Sequence, residues 1–326
     1  MRLFLLIYFL FCLPLFVSAQ ELFPYNEPAS NVPKGVLGIR TYGEIYQEGN
    51  IHRNMGALRL MYGLTSKLSI AVTVSESNHH NSHLPTDSIL VKHQFINGQH
   101  IYTTTTKQNI VIEEQYPYSF NGFYFFAKYR FITKDGQNTH FRTAVYGEYS
   151  TVNQPFPHAE PNLMMDTKGY GGGLIITYLK NRFAVSLTSG VIIPGSYQET
   201  VAQTAGSPVL TNTILEYGRS TKYNLSFGYL VFPKEYKNYN QVNYNLYLEF
   251  MGKTYEAATV YQDGKILPIQ SVDLSAGNYI DVCPGIQAIV KSNLRIDFSM
   301  GFNMINRSYS HNYPIYMIGI QRYFFL

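Results

Sequence analysis

The sequence predicts an all-β protein: a transmembrane antiparallel up-and-down β-barrel of about twelve strands. Three observations carry the prediction. Apolar residues alternate with small or polar ones at period two along most of the chain. Short turns and long loops alternate between the resulting strands. Aromatic residues make up 15% of the 326 residues and charged residues only 14%, against roughly 25% charged in soluble domains.

Period-two alternation is what a barrel wall requires, because successive side chains face lipid and lumen in turn. Leu68, Ile70, Val72 and Val74 alternate with Ser69, Ala71, Thr73 and Ser75, and Leu294, Ile296, Phe298 and Met300 alternate with Arg295, Asp297, Ser299 and Gly301. An amphipathic helix would repeat every 3.6 residues. A soluble sandwich or jelly roll also alternates, but its solvent face carries Lys, Glu and Thr, and small residues along its other face serve no purpose.

In chain order, Arg2 precedes an apolar run over residues 3–17 that closes on Val17-Ser18-Ala19, so residues 1–19 are expected to be a cleaved signal peptide. Phe11 before Cys12 argues against lipid anchoring. Residues 20–33 are expected to be a short periplasmic N-terminal segment and 34–326 the barrel. Strands are predicted at 34–46, 54–62, 67–77, 119–132, 139–151, 168–179, 182–194, 213–231, 241–256, 277–290, 294–305 and 313–326. The tight connections at 63–66, 134–137, 180–181, 233–240 and 291–293 read as periplasmic turns. Long connections at 78–118, 152–167, 195–212 and 257–276, with shorter ones at 47–51 and 306–312, read as outer loops. The strand count is even and both barrel termini fall on the periplasmic side, as bacterial barrels require.

The last strand puts Ile318, Ile320, Arg322, Phe324 and Leu326 on one parity. It resembles the terminal strand that barrel-assembly machinery recognises, which makes that machinery and outer-membrane lipid the expected partners in a Gram-negative cell. Arg322 can snorkel to the interface. A formal net charge of +4 is too mild for a nucleic-acid partner. Cys12 leaves with the signal peptide, so Cys283 stands alone and no intrachain disulfide is expected.

The alternation points Arg40, Glu44, Arg59, Lys128, Arg130, Arg142, Glu148, Arg182, Lys222, Glu249, Lys253, Asp281, Arg295 and Asp297 into the lumen. Bases outnumber acids there, which predicts a charge-lined channel or transporter for small polar or anionic solutes. The alternative is that these charges pair and close a narrow lumen. The barrel would then act as a surface binding or assembly module through loops 78–118 and 257–276.

Loop 78–118 holds His79, His80, His83, His93 and His100 and an extra hairpin around Asn97-Gly98; a second hairpin is expected around Asp263-Gly264. The His79, His80 and His83 imidazoles suit a borderline metal, but no nearby Cys or carboxylate completes a ligand set, so a solvated polar loop without metal is expected. No strand carries a His and Ser two residues apart on its lipid face followed by Asn and Gly, and Asp87 with His93 is poorly placed for catalysis. No catalytic residues and no cofactor are therefore expected. Tyr170-Gly171-Gly172-Gly173 lacks the helix and Lys-Ser/Thr of a phosphate loop; its glycines are expected to let the strand bend or to make room for a long lumenal side chain.

The run GNYIDVCPGIQ from Gly277 to Gln287, with its Pro284-Gly285-Ile286-Gln287 ending, followed by a turn and an alternating strand, resembles the closing part of a transporter-like barrel family named for the MetA pathway of phenol degradation. The resemblance covers roughly the last third of the chain. It implies a barrel of transporter type with no catalytic residues to carry over. The Tyr- and Asn-rich strands also resemble outer-membrane barrels of the Bacteroidota.

Overall fold

The computed structural model describes residues 23–48, 51–80, 84, 92–96, 99–103, 117–202, 210–235, 240–269 and 271–325; the expected signal peptide and His83 lie outside them. The strands are β1 (Val36–Glu48), β2 (Ile51–Gly63), β3 (Leu68–Ser77), β4 (Lys92–Ile96), β5 (Gln99–Thr103), β6 (Ser119–Asp135), β7 (Thr139–Ser150), β8 (Gly169–Lys180) and β9 (Phe183–Pro194). They continue as β10 (Tyr197–Ala202), β11 (Leu210–Glu216), β12 (Ser220–Phe232), β13 (Asn243–Tyr255), β14 (Thr259–Gln262), β15 (Lys265–Ile266), β16 (Gly277–Val290), β17 (Leu294–Ile305) and β18 (Ile315–Phe325). Twelve of them close into one antiparallel barrel in which chain neighbours are sheet neighbours, and β1 pairs with β18 from Val36↔Phe325 to Ile45↔Tyr316. Closure leaves no wall strand with an unpaired edge, the condition for a sheet to cross a bilayer.

The alternation sorts the side chains as a membrane wall needs. On β3, Ser69, Ala71, Thr73, Ser75 and Ser77 are buried inside, while Ile70 is exposed outside. Leu60, Phe125, Val145, Leu187, Val191, Ile296, Phe298, Ile318 and Ile320 are likewise exposed on the outer face. An apolar belt of this extent has no place in water and suits lipid. Arg322 lies over the Phe324 ring, 5.3 Å from its centroid, near the turn end of the barrel. Leu187→Arg, in the middle of β9, is expected to cost about 2–4 kcal/mol. Urea unfolding in lipid vesicles, with the heat-dependent shift in gel mobility as a check of folding, measures this.

One strand boundary needs correction. The predicted strand 213–231 is two strands, β11 and β12, separated by residues 217–219. Alternation continues through the break, but its length exceeds the roughly 9–11 residues that cross a bilayer. The outer loop predicted at 195–212 consequently runs to residue 219. Its β10 and β11 join β14 and β15 from the 256–276 connection in a four-stranded sheet beyond the barrel. The Asp263-Gly264 hairpin forms as expected, with both residues at positive φ. β4 and β5 pair around 97–98.

Residues 23–33 of the N-terminal segment lie inside the barrel, because their backbone and side chains pair with groups on the lumenal face of the wall. Gly63 makes the entry possible: a Cβ there would sit 2.0 Å from the Pro33 carbonyl oxygen.

Candidate functional site

Polar contacts to seven wall strands hold the N-terminal layer. The Tyr25 and Asn26 amides donate to the buried Glu249 carboxylate at 3.0 and 2.9 Å, and Ser226 Oγ donates to it at 3.0 Å. Thr177 Oγ1 accepts from the Ala29 amide at 2.8 Å, and Arg142 Nη1 donates to Ser30 Oγ at 2.9 Å. Glu27 ties the segment to the opposite wall: its two oxygens lie 2.6 Å from Arg59 Nη2 and 3.3 Å from Lys128 Nζ. Lys128 also donates to the Pro28 carbonyl, and Arg40 to that of Pro24. Phe23 packs edge-on against Tyr247, with ring centroids 5.7 Å apart. Burial alone would raise the Glu27 carboxyl, but the Arg59 guanidinium and Lys128 ammonium outweigh it and hold the pKa at about 2.

A second layer comes from the outer side. Loop 151–168, expected to stand outside, turns inward, and Val152, Phe156, Ala159, Glu160, Leu163 and Asp166 are buried. Glu160 fastens it, accepting from Tyr279 Oη at 2.6 Å, Lys253 Nζ at 3.2 Å, and the Ser308 and Ser310 hydroxyls at 2.5 and 3.0 Å. Burial would raise this carboxyl too, yet Lys253 and the charge of His311 hold it at about 2. Ser75 Oγ donates to the Met164 carbonyl, and the Ala159 amide to that of Asp273. His311 sits 3.1 Å from Asp281; burial lowers its pKa, but the Asp281 hydrogen bond and the Glu160 charge carry it up to about 9.

Between the layers lies a cavity of about 280 Å³. Of the residues predicted to face the lumen, Arg40, Glu44, Arg59, Glu148, Lys222, Lys253 and Asp281 line this cavity. Lys222 Nζ meets Glu148 at 2.5 Å, and Gly171 is needed beside them because a Cβ there would come 2.7 Å from Glu148 Oε1. Lys128, Glu249, Arg295 and Asp297 are buried in the barrel but do not line the cavity; Asp297 accepts from Gln287 at 2.6 Å and faces Arg40 at 3.5 Å. Arg130, Arg142 and Arg182 sit at the turn end. Arg130 donates to the Ser66 carbonyl, Arg142 pairs with Asp135 at 3.2 Å, and Arg182 reaches the Val231 and Pro233 carbonyls.

Sequence reasoning missed the acids that answer the basic wall. Glu27 and Glu160 come from the inserted segments, so Arg59, Lys128 and Lys253 are answered by chain that strand periodicity does not describe. That excess was itself the available signal, since buried charges require partners.

The histidine expectation is corrected as well. His79 and His80, directly after β3, are well covered, with stacked rings 5.3 Å apart, and Asp166 of the inserted loop faces both. Burial pushes both imidazoles down and, with Glu160 adding to it, Asp166 up to about 8.

A closed twelve-strand wall, apolar outside and holding two inserted layers inside, is the fold of an outer-membrane β-barrel. The sequence matches no protein-family model and no curated protein sequence. Its fold is similar to a crystal structure of an outer-membrane channel from Pseudomonas putida F1, at a TM-score of 0.53 and 14% identity, covering 93% of this chain and 100% of that one. The NanC porin aligns at a TM-score of 0.41 and 7% identity over 89% of this chain and 99% of that one. The β domain of the Bordetella autotransporter BrkA aligns at 0.38 and 10% identity over 90% and 100%. These last two are too distant to carry an argument.

Proposed function

We propose that the protein is an outer-membrane channel for small polar solutes that rests in a closed state, sealed by residues 23–33 on the periplasmic side and by loop 151–168 on the outer side. The observation that supports this best is the charged cavity held between two layers. Each layer is fastened to the wall largely by hydrogen bonds and ion pairs, which can be exchanged for water. The Pro284-Gly285-Ile286-Gln287 resemblance to a transporter-like family favours the same reading. Movement of the N-terminal layer would leave Arg40, Arg59 and Lys128 facing the lumen without Pro24, Glu27 and Pro28, and a ring of such cations prefers anions.

A closed barrel that acts through its loops is the second reading, favoured by the outer sheet of β10, β11, β14 and β15, where Leu210 and Ile266 are exposed. Planar-bilayer recording of the refolded chain in a salt gradient separates the two. The expected result is a mostly silent baseline at neutral pH with brief, anion-leaning openings. A steady, wide current would mean that the layers do not seal. Silence that persists when both layers are loosened would leave the loop-driven module.

A further inference from the structure

We propose that His79, His80 and Asp166 form a binding site for a divalent transition cation of the zinc class, which pins the inserted loop 151–168 to the end of β3. The geometry comes first. Asp166 Oδ1 lies 3.7 Å from His79 Nδ1 and 3.5 Å from His80 Nε2. Zinc bonds of about 2.0–2.2 Å at tetrahedral angles place ligand atoms roughly 3.3–3.6 Å apart, so each imidazole nitrogen stands from the carboxylate oxygen close to the spacing that one ion imposes. The three ligand atoms all lie within 4.8 Å of one another.

The polar accounting points the same way. Asp166 Oδ1, the oxygen facing both rings, is buried without a hydrogen-bond partner. His80 lies between two carbonyls, with Nε2 2.9 Å from Met165 O and Nδ1 3.3 Å from Pro155 O. A neutral imidazole has one N–H and can satisfy only one of them. A cation on Nε2 resolves this: the proton sits on Nδ1 and donates to Pro155 O, the arrangement that commonly orients a ligating histidine. Met165 O is then the nearest candidate for a fourth ligand. Two imidazoles and a carboxylate favour zinc, cobalt or nickel over magnesium or calcium, which prefer all-oxygen shells.

The test is titration of the folded full chain in detergent with Zn²⁺, and with Co²⁺ read by the absorption of tetrahedral cobalt, using Mg²⁺ as control. Expected are one equivalent of tight binding, no competition by Mg²⁺, and a loss of affinity of at least about tenfold in Asp166→Asn and His80→Gln, each checked for heat-dependent gel mobility. No binding to the wild type, equal binding of Mg²⁺, or unchanged affinity in folded variants would overturn the site. A misfolded variant leaves the wild-type titration and the Mg²⁺ control decisive.

The consequence for conduction rests on the channel reading above. Chelation should raise the frequency of openings severalfold, and Zn²⁺ should reverse it. Stoichiometric binding with an unchanged current would keep the site and remove its control of opening; current without binding would overturn the site and keep the channel reading.

Discussion

Glu27→Ala is expected to unseat the N-terminal layer and produce the largest rise in conductance of any single substitution. The carboxylate is the only acid that meets both Arg59 and Lys128 among the described ion pairs. Its removal takes a carboxylate from both Arg59 and Lys128, and breaking a buried pair costs about 3–5 kcal/mol. Glu27 keeps some solvent contact, so about 2–3 kcal/mol is the fairer expectation, equivalent to a shift of roughly 30- to 150-fold between seated and unseated segment. Planar-bilayer recordings should show longer openings and stronger anion preference. Glu27→Gln should lie between wild type and alanine, because the amide still accepts from Lys128. Unchanged current in a folded Glu27→Ala barrel would show that the segment does not obstruct the lumen.

Acid should do the same without mutation. Glu27 is held at about 2 when seated against an ordinary value of 4.5. A depressed carboxylate contributes its full stabilisation above the ordinary value and loses it as the pH falls through the depressed one. Seating should therefore be constant from neutral pH down to about 4.5 and weaken progressively between 4.5 and 2. Glu160, also held at about 2, weakens over the same window, so both layers loosen together. Conductance rising between pH 8 and 6 instead would assign control to other groups.

The second large effect is expected at Glu160→Ala. This carboxylate is 1% exposed and accepts from four side chains. Its loss strands Lys253 inside the barrel and unties loop 151–168 from β13, β16 and the 306–314 connection. A cost of about 3–5 kcal/mol follows, read as faster proteolysis within loop 151–168 and a lower unfolding temperature. Ser308→Ala removes one neutral donor and should cost only about 1 kcal/mol. Equal sensitivity of the two variants would mean that Glu160 is not the fastening point.

The wall was legible in the sequence because lipid demands an unbroken apolar parity, and eleven of the twelve predicted strands correspond one for one to β1, β2, β3, β6, β7, β8, β9, β13, β16, β17 and β18. The twelfth, 213–231, merged two strands because Tyr217-Gly218-Arg219 interrupts the ladder without interrupting the alternation. The interior was legible only on the wall side. Arg59, Lys128 and Lys253 could be placed by parity, whereas Glu27 lies 101 residues from Lys128 and Glu160 lies 148 from Ser308. No local pattern links residues so far apart. Asp166 escaped notice beside His79 and His80 for the same reason: the missing carboxylate comes from a different loop.

The placement of residues 23–33 bears on how the molecule is assembled. The segment leads directly into β1, and β1 forms the seam with β18, the last strand to be made. Until that seam zips, the lumen is open along its side, and the segment can lie against Glu249 and Thr177 by lateral approach. Zipping from Val36↔Phe325 to Ile45↔Tyr316 then encloses it. A chain lacking residues 23–33 is therefore expected to close this seam more slowly and to be more protease-sensitive while it does so, as read by refolding kinetics into lipid vesicles.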